Sequence, residues 1–251
     1  MEVFVCENVF VPLRSGPSHR SEMQSQVLFG ERYRVLDRSG SWLRIETLFD
    51  CYKGWIDSDH LQHSQYDGSS KSIVLNKPLL CRRNDDTKLV LEAGCEIFNP
   101  DYKNRFFSGG TGIYHVPGEF TEQSNNESYS DTALRFINSP YMWGGRVPCG
   151  IDCSGLTQLV YKIHGIAIPR DSSKQAESGI NIDFINETKP GDLVFFDNER
   201  GCITHVGMIF SEGLVIHASG RVRIDRIDHQ GIYKPEIKGY SHKLRLIRRI
   251  K

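Results

Sequence analysis

The strongest helical signal in this chain begins on a cysteine. In CSGLTQLVYKIHG (153–165), Leu156, Leu159, Val160 and Ile163 fall on one face at helical spacing, and Gly165 stands where a C-cap is expected. The apolar residues that follow come in short runs: GDLVFFD, HVGMIFSEGLVIHASG and VRIDRID. One helix at the front is followed by a sheet of three or four antiparallel strands. The expected fold class is α+β.

The front of the chain reads as all-β over 1–62. ERYRVLD (31–37) and WLRIET (42–47) bracket the turn RSGS (38–41), and a further strand is expected around Tyr52–Ile56. Pro12, Gly16 and Pro17 punctuate the loop ahead of them, and a small barrel is the economical arrangement. Residues 63–122 repeat the style in SIVLNKPLLCR and KLVLEAGCEIF, broken at NDD (84–86) and SGGTG (108–112), which predicts a second small β domain. TEQSNNESYS (121–130) is a polar linker, so the third domain takes in 123–251. It opens on a predicted helix DTALRFIN (131–138), with Ser130 or Asp131 as N-cap and Ser139-Pro140 as its stop.

With 31 basic and 31 acidic residues the net charge is zero, which gives no pull toward nucleic acid or an anionic membrane. The basic end HKLRLIRRIK alternates Leu244, Leu246 and Ile250 with charges, as a half-exposed last strand does. No apolar run approaches the roughly 20 residues of a membrane span. MEVFVCENVFVPLR lacks the marks of a signal peptide, and seven cysteines without a disulfide-scaffold pattern fit a reducing setting. The expectation is a cytoplasmic monomer with no membrane or nucleic-acid partner.

The chemistry centres on CGIDCSGL (149–156), where Cys149 and Cys153 lie four apart. A zinc site would need its other ligands from Cys202, His205 or His217, and no second close pair is present. A disulfide would close a very short loop in a reducing setting. As a nucleophile, Cys153 sits in the first turn of a helix, where free N–H groups and the positive dipole end favour a thiolate. Asp152 is an additional cap candidate, Gly155 keeps the backbone side open, and Cys149 belongs to the preceding loop.

A base is available on the strands. If Phe210 pairs with Leu214 around a Ser211-Glu212-Gly213 loop, Gly207 faces His217 and His205 faces Ser219. The two histidines are then diagonal neighbours on one face, with no side chain on Gly207 to separate them. One can act as base and the other orient it, which is the logic of a thiol hydrolase. Neither a metal nor an organic cofactor is implied.

Six motifs in order, Tyr141-Met142-Trp143-Gly144-Gly145, Asp152-Cys153-Ser154-Gly155-Leu156, Pro169-Arg170-Asp171-Ser172, Pro190-Gly191-Asp192-Leu193, His205-Val206-Gly207 and Ile216-His217-Ala218, resemble the NlpC-type cell-wall peptidases over about 130–251. Val11-Pro12-Leu13-Arg14, Gln26–Glu31, Trp42–Ile45 and Tyr52–Ile56 resemble a bacterial SH3-like domain. The resemblance implies a papain-like catalytic domain preceded by one or two small SH3-like β-barrels. It also implies the activity of γ-D-glutamyl-L-diamino-acid endopeptidases that recycle murein stem peptides, L-Ala-γ-D-Glu-diamino acid, with a free N-terminal L-alanine.

Carried onto this sequence, the resemblance makes Cys153 the nucleophile, His205 the base and His217 its orienting partner. Asp152 would hold the substrate ammonium, helped by Glu22 and Tyr52 from an SH3-like domain that walls off one end of the cleft. Ser172 and Trp143 would line the D-glutamate and alanine end, with Ser154 also among the substrate-binding residues. Alone, Trp143 reads equally as core, Ser172 as a helix cap and Tyr52 as a barrel residue. A buried Asp152 would raise the thiol pKa, and a bound ammonium would offset that rise. The competing expectations are a secreted hydrolase of intact peptidoglycan and a wall-peptide-binding protein with a vestigial catalytic domain.

Overall fold

Short alternating segments joined by tight turns make the front half of the chain a structure of strands with one short 3-10 turn, Ser58–His60. The computed structural model describes residues 2–66, 68, 70, 72–110, 112–122 and 127–251; residues 123–126 of the predicted linker and Thr111 of the SGGTG break lie outside them. Two compact units divide the chain, 1–125 and 126–251.

In the first unit, β1 (Val3–Cys6), β2 (Phe10–Arg14), β3 (Met23–Leu28), β4 (Arg32–Ser39), β5 (Trp42–Thr47), β6 (Lys53–Asp57) and β7 (His63–Gln65) form one sheet in the order β3-β2-β6-β5-β4-β1-β7. Its inner positions, among them Val11, Leu13, Val27, Tyr33, Leu43, Ile45 and Ile56, make the barrel core. The strand β7 lies beyond the predicted boundary at 62/63 yet pairs with β1. The strands β8 (Ser72–Val74), β9 (Leu79–Arg83), β10 (Lys88–Leu91), β11 (Glu96–Asp101), β12 (Phe106–Gly109) and β13 (Gly112–His115) form a second sheet, ordered β10-β9-β13-β12-β11-β8. The two sheets meet within the unit: the Glu96 N–H donates to the Phe29 carbonyl at 2.8 Å, and Phe29 meets the Tyr114 ring edge-on at 5.3 Å.

The second unit begins with α1 (Tyr129–Leu134), then β14 (Arg146–Val147), β15 (Gly150–Ile151), α2 (Cys153–Ile163) and α3 (Ser172–Gln175). The helix α1 starts two residues before its predicted position because Ser128 is the cap, its hydroxyl accepting from the Asp131 N–H at 3.1 Å. Ser130, by contrast, donates to the Phe210 carbonyl at 2.6 Å. It also ends early: residues 135–138 form turns that run into Ser139-Pro140.

Seven strands follow: β16 (Ile180–Ile182), β17 (Leu193–Asp197), β18 (Ile203–Ser211), β19 (Leu214–Ser219), β20 (Arg221–Asp228), β21 (Gly231–Lys234) and β22 (Gly239–Arg249). They are ordered β16-β22-β17-β18-β19-β20-β21, with β21 also pairing to β22. Val194, Phe196, Ile209, Val215, Ile227 and Ile232 fill one side of this sheet. The helix α2 packs against β18 and β19, and all eleven of its residues are buried. Its polar side chains are satisfied locally: Thr157 donates to Gln175 at 2.8 Å, and the Tyr161 hydroxyl donates to the Gly191 carbonyl at 2.7 Å. The fold is α+β with strands predominant. Among the described residues no helix is long and apolar enough to cross a membrane.

Candidate active site

Cys153 is the first residue of α2, and Asp152 is its N-cap, with the carboxylate accepting the Gly155 N–H at 2.7 Å. Gly155 is required for a different reason from the one expected. A Cβ there would lie 2.2 Å from the Gly145 carbonyl, so the helix start is pressed onto the Gly144-Gly145 turn. All seven cysteines are free; Cys149 is exposed and Cys153 is buried.

The Asp152 carboxylate has no unused capacity. One oxygen takes Gly155 N–H, Arg170 Nη1 at 3.0 Å and Ser154 Oγ at 3.3 Å; the other takes Gly144 N–H at 2.7 Å and Arg170 Nη2 at 2.6 Å. Arg170 also donates to the Ser154 hydroxyl at 2.8 Å. Both side chains of the ion pair are nearly inaccessible, at 2% and 7%. The cation that offsets Asp152 is therefore already in the chain, and a substrate ammonium at Asp152 would have to share it with Arg170.

Burial is the main influence on the thiol and raises its pKa to about 11. Asp152 adds to the rise, while hydrogen bonding from the Val206 and Ser154 backbone and the Arg170 charge act against it. The Val206 contact places the Cys153 sulfur against β18 at the residue after His205.

On β18 and β19, Gly207 pairs with His217 as the sequence pattern predicts, and a Cβ at Gly207 would lie 2.6 Å from Val215 and 3.2 Å from His217 Cβ. The turn differs. Ser211, not Phe210, pairs with Leu214, so the loop is Glu212-Gly213 and the extra residue is taken up as a bulge at Phe210. His205 and His217 remain on one face, with His205 Nε2 2.8 Å from His217 Nδ1 and their rings at 82°. This leaves His205 Nδ1 as the ring nitrogen available to a thiol.

Four further residues complete this side of the site, and the sequence analysis singles out none of them. Asp225 on β20 sits 2.9 Å from His217 Nε2 through one oxygen and 2.7 Å from Arg223 through the other. Arg223 continues to Glu236 at 3.0 Å. His242 on β22 stacks on the His205 ring at 4.3 Å. Burial, reinforced by neighbouring His217, His242 and Lys234, holds the His205 pKa well below its usual value. Burial likewise lowers His217, which is fully inaccessible, against the opposing pull of Asp225. Burial takes His242 to about 4. All three imidazoles are neutral at neutral pH.

The remaining predicted site residues divide between the units. Trp143 is 57% exposed and so is not core. Ser172 is half-buried at the first position of α3, where Asp171 is the cap residue. Ser154 is buried between Asp152 and Arg170. Tyr141, half-buried, lies near enough to Cys153 and Asp152 for both charges to add to the effect of burial on its hydroxyl, which reaches about 12. Glu22 and Tyr52 belong to the first unit: Glu22 is exposed ahead of β3, and Tyr52 packs partly on the barrel core.

A buried thiol at a helix start, with a neutral histidine and its hydrogen-bonded partner on adjoining strands, defines a papain-like thiol hydrolase. The description of the NlpC/P60 family matches residues 138–240, and that of the bacterial dipeptidyl-peptidase Sh3 domain matches 13–61. The chain is 30% identical to a γ-D-glutamyl-L-lysine dipeptidyl-peptidase of Bacillus subtilis, over 78% of this chain and 72% of that one. It is 27% identical to a protein of the same name from Bacillus cereus, over 80% of this chain and 68% of that one. In fold it matches the crystal structure of an NlpC/P60 family protein from Bacillus cereus with a TM-score of 0.82 at 21% identity, over 98% of this chain and 99% of that one. This chain belongs to the NlpC/P60 family; it is a cysteine peptidase that hydrolyses peptidoglycan peptides, with an SH3-like domain ahead of its catalytic domain.

Proposed function

We propose that this peptidase cuts the amide between the D-glutamate side-chain carboxyl and the diamino acid of murein peptides that carry a free N-terminal L-alanine. The observation that carries the reading is the similarity, across most of both chains, to two proteins named γ-D-glutamyl-L-lysine dipeptidyl-peptidases. Release of a dipeptide from a free N-terminus places the enzyme among reactions that consume wall fragments. Seven free cysteines support a reducing, cytoplasmic setting for that recycling.

In this reading Cys153 is the nucleophile and His205 Nδ1 removes its proton as the sulfur attacks the scissile carbonyl. The thiol pKa of about 11 and the depressed His205 pKa support a neutral thiol–imidazole pair that transfers its proton during attack. The oxyanion takes the Cys153 backbone N–H at the helix start and, as second donor, the Tyr141 hydroxyl, whose raised pKa keeps it protonated. His205 returns the proton to the leaving amine, and water then hydrolyses the thioester. Trp143 and Ser172 are assigned to the D-glutamate and alanine end, and Ser154 to substrate binding through its place beside Asp152 and Arg170. Because Arg170 occupies Asp152, that carboxylate meets a substrate ammonium only as a shared partner.

The test is a mass-spectrometric digest of L-Ala-γ-D-Glu-L-Lys, its diaminopimelate counterpart and their N-acetylated twins. Cleavage of the free-amine peptides alone, releasing L-Ala-D-Glu, is expected. Equal cleavage of the acetylated twins would remove the ammonium requirement, and cleavage only of polymeric wall would overturn the recycling role.

A further inference from the structure

Two histidines in series leave a question that a single base does not. His205 Nε2 and His217 Nδ1 are 2.8 Å apart, and either ring can be the donor. If His217 donates, His205 carries its proton on Nδ1, the nitrogen needed by the thiol, and cannot act as base. Something must break the symmetry.

We infer that Asp225 is a positioning residue that sets the tautomer of both histidines and thereby makes His205 competent as the base. A carboxylate only accepts, so His217 must place its proton on Nε2, 2.9 Å from the Asp225 oxygen. His217 Nδ1 is then a lone pair and accepts from His205 Nε2–H. His205 Nδ1 is left unprotonated where it can take the thiol proton. The three side chains are buried, so water does not compete for these positions.

The groups around the relay keep its end ionised. Arg223 donates to the second Asp225 oxygen at 2.7 Å and is itself held by Glu236 at 3.0 Å. Burial would raise the Asp225 pKa, but hydrogen bonds from His217 and Arg223 outweigh it and hold the group below the usual carboxylate range. Lys234 and Arg223 oppose a charge on His217, and His242 stacked on His205 is neutral near pH 7. The relay therefore runs on neutral rings and one anion.

This inference rests on His205 serving as base but not on which peptide is cut. Its decisive variant is Asp225→Asn. Arg223 would hold the amide oxygen and turn the NH2 toward His217 Nε2, which reverses every donor in the series and puts a proton on His205 Nδ1. Asp225→Ala imposes no such reversal.

The expected result is that Asp225→Asn, the closer isostere, lowers kcat by about 10²–10³-fold, and by more than Asp225→Ala. That is less than the roughly 10⁴-fold loss when the carboxylate touches the base directly. The readout that a structural role would not move is the ¹⁵N spectrum of ring-labelled full-length protein. His205 should carry its proton on Nε2 in the wild type and on Nδ1 in Asp225→Asn. Iodoacetamide labelling of Cys153 gives a substrate-free rate in the same samples. An unchanged His205 tautomer in Asp225→Asn, or losses in kcat that follow only the loss of thermal stability in both variants, would overturn the proposal. If neither γ-glutamyl peptide is cut while the tautomer still reverses, the relay stands and the substrate assignment falls.

Discussion

Two aspartate–arginine pairs stand at opposite ends of the site, and they do different things with the same chemistry. At Asp152 the arginine takes both oxygens, backbone N–H groups take the rest, and the carboxylate is closed. At Asp225 the arginine takes one oxygen and leaves the other for a histidine. The first pair is a scaffold: it caps α2, ties Ser154 and the Gly144-Gly145 turn together, and fixes where the sulfur sits. The second is the acceptor end of a proton-ordering series. Whether a carboxylate is structural or electrostatic here depends on how many of its lone pairs the fold has already used.

The widest expected effect concerns the nucleophile held by the first pair. With a thiol pKa raised to about 11, the thiolate fraction of the resting enzyme grows about tenfold per pH unit. Alkylation of Cys153, followed by peptide mapping to separate it from exposed Cys51, Cys149 and Cys202, should rise about 100-fold between pH 7 and 9. A rate that levels off above pH 7 would mean that His205 takes the thiol proton without a bound peptide, at rest or during alkylation.

Breaking the pairs themselves should separate them next. Arg170→Met leaves a buried carboxylate without its cation and should lower unfolding stability by about 3–5 kcal/mol, read as a shift of the urea midpoint. The corresponding change at the other end, Arg223→Leu, touches a side chain that is 22% exposed and leaves Asp225 still accepting from His217. Its stability effect should be the smaller one, about 1–3 kcal/mol, because His217 still donates to the buried carboxylate. Equal losses in the two variants would erase the distinction between scaffold and relay.

Much of this site was readable before the structure because it depends on local periodicity. The apolar spacing after Cys153 fixes a helix start, and the alternation around Ser211-Glu212-Gly213 fixes Gly207 opposite His217 even though the bulge at Phe210 tightens the turn. Asp225 needed one more step along the same path. VRIDRID reads as a strand, and pairing Ala218 with Val222 across Gly220 puts Arg223 opposite His217 and Asp225 diagonal to it. His242 had no such signal, because β22 reaches β17 only through the order of the whole sheet. Arg170 lies ahead of α3 and enters through tertiary packing. A sequence can place a carboxylate beside a nucleophile, but the lone pairs already occupied are a property of the fold.

Whether Cys153 is the nucleophile is settled by quenching the enzyme with acid during turnover of L-Ala-γ-D-Glu-L-Lys and mapping the covalent adduct, with Cys153→Ala as control. An L-Ala-D-Glu acyl group in thioester linkage on the Cys153 peptide is expected, with no cleavage by Cys153→Ala. Cleavage that persists in Cys153→Ala, or an adduct on any other residue, would contradict it.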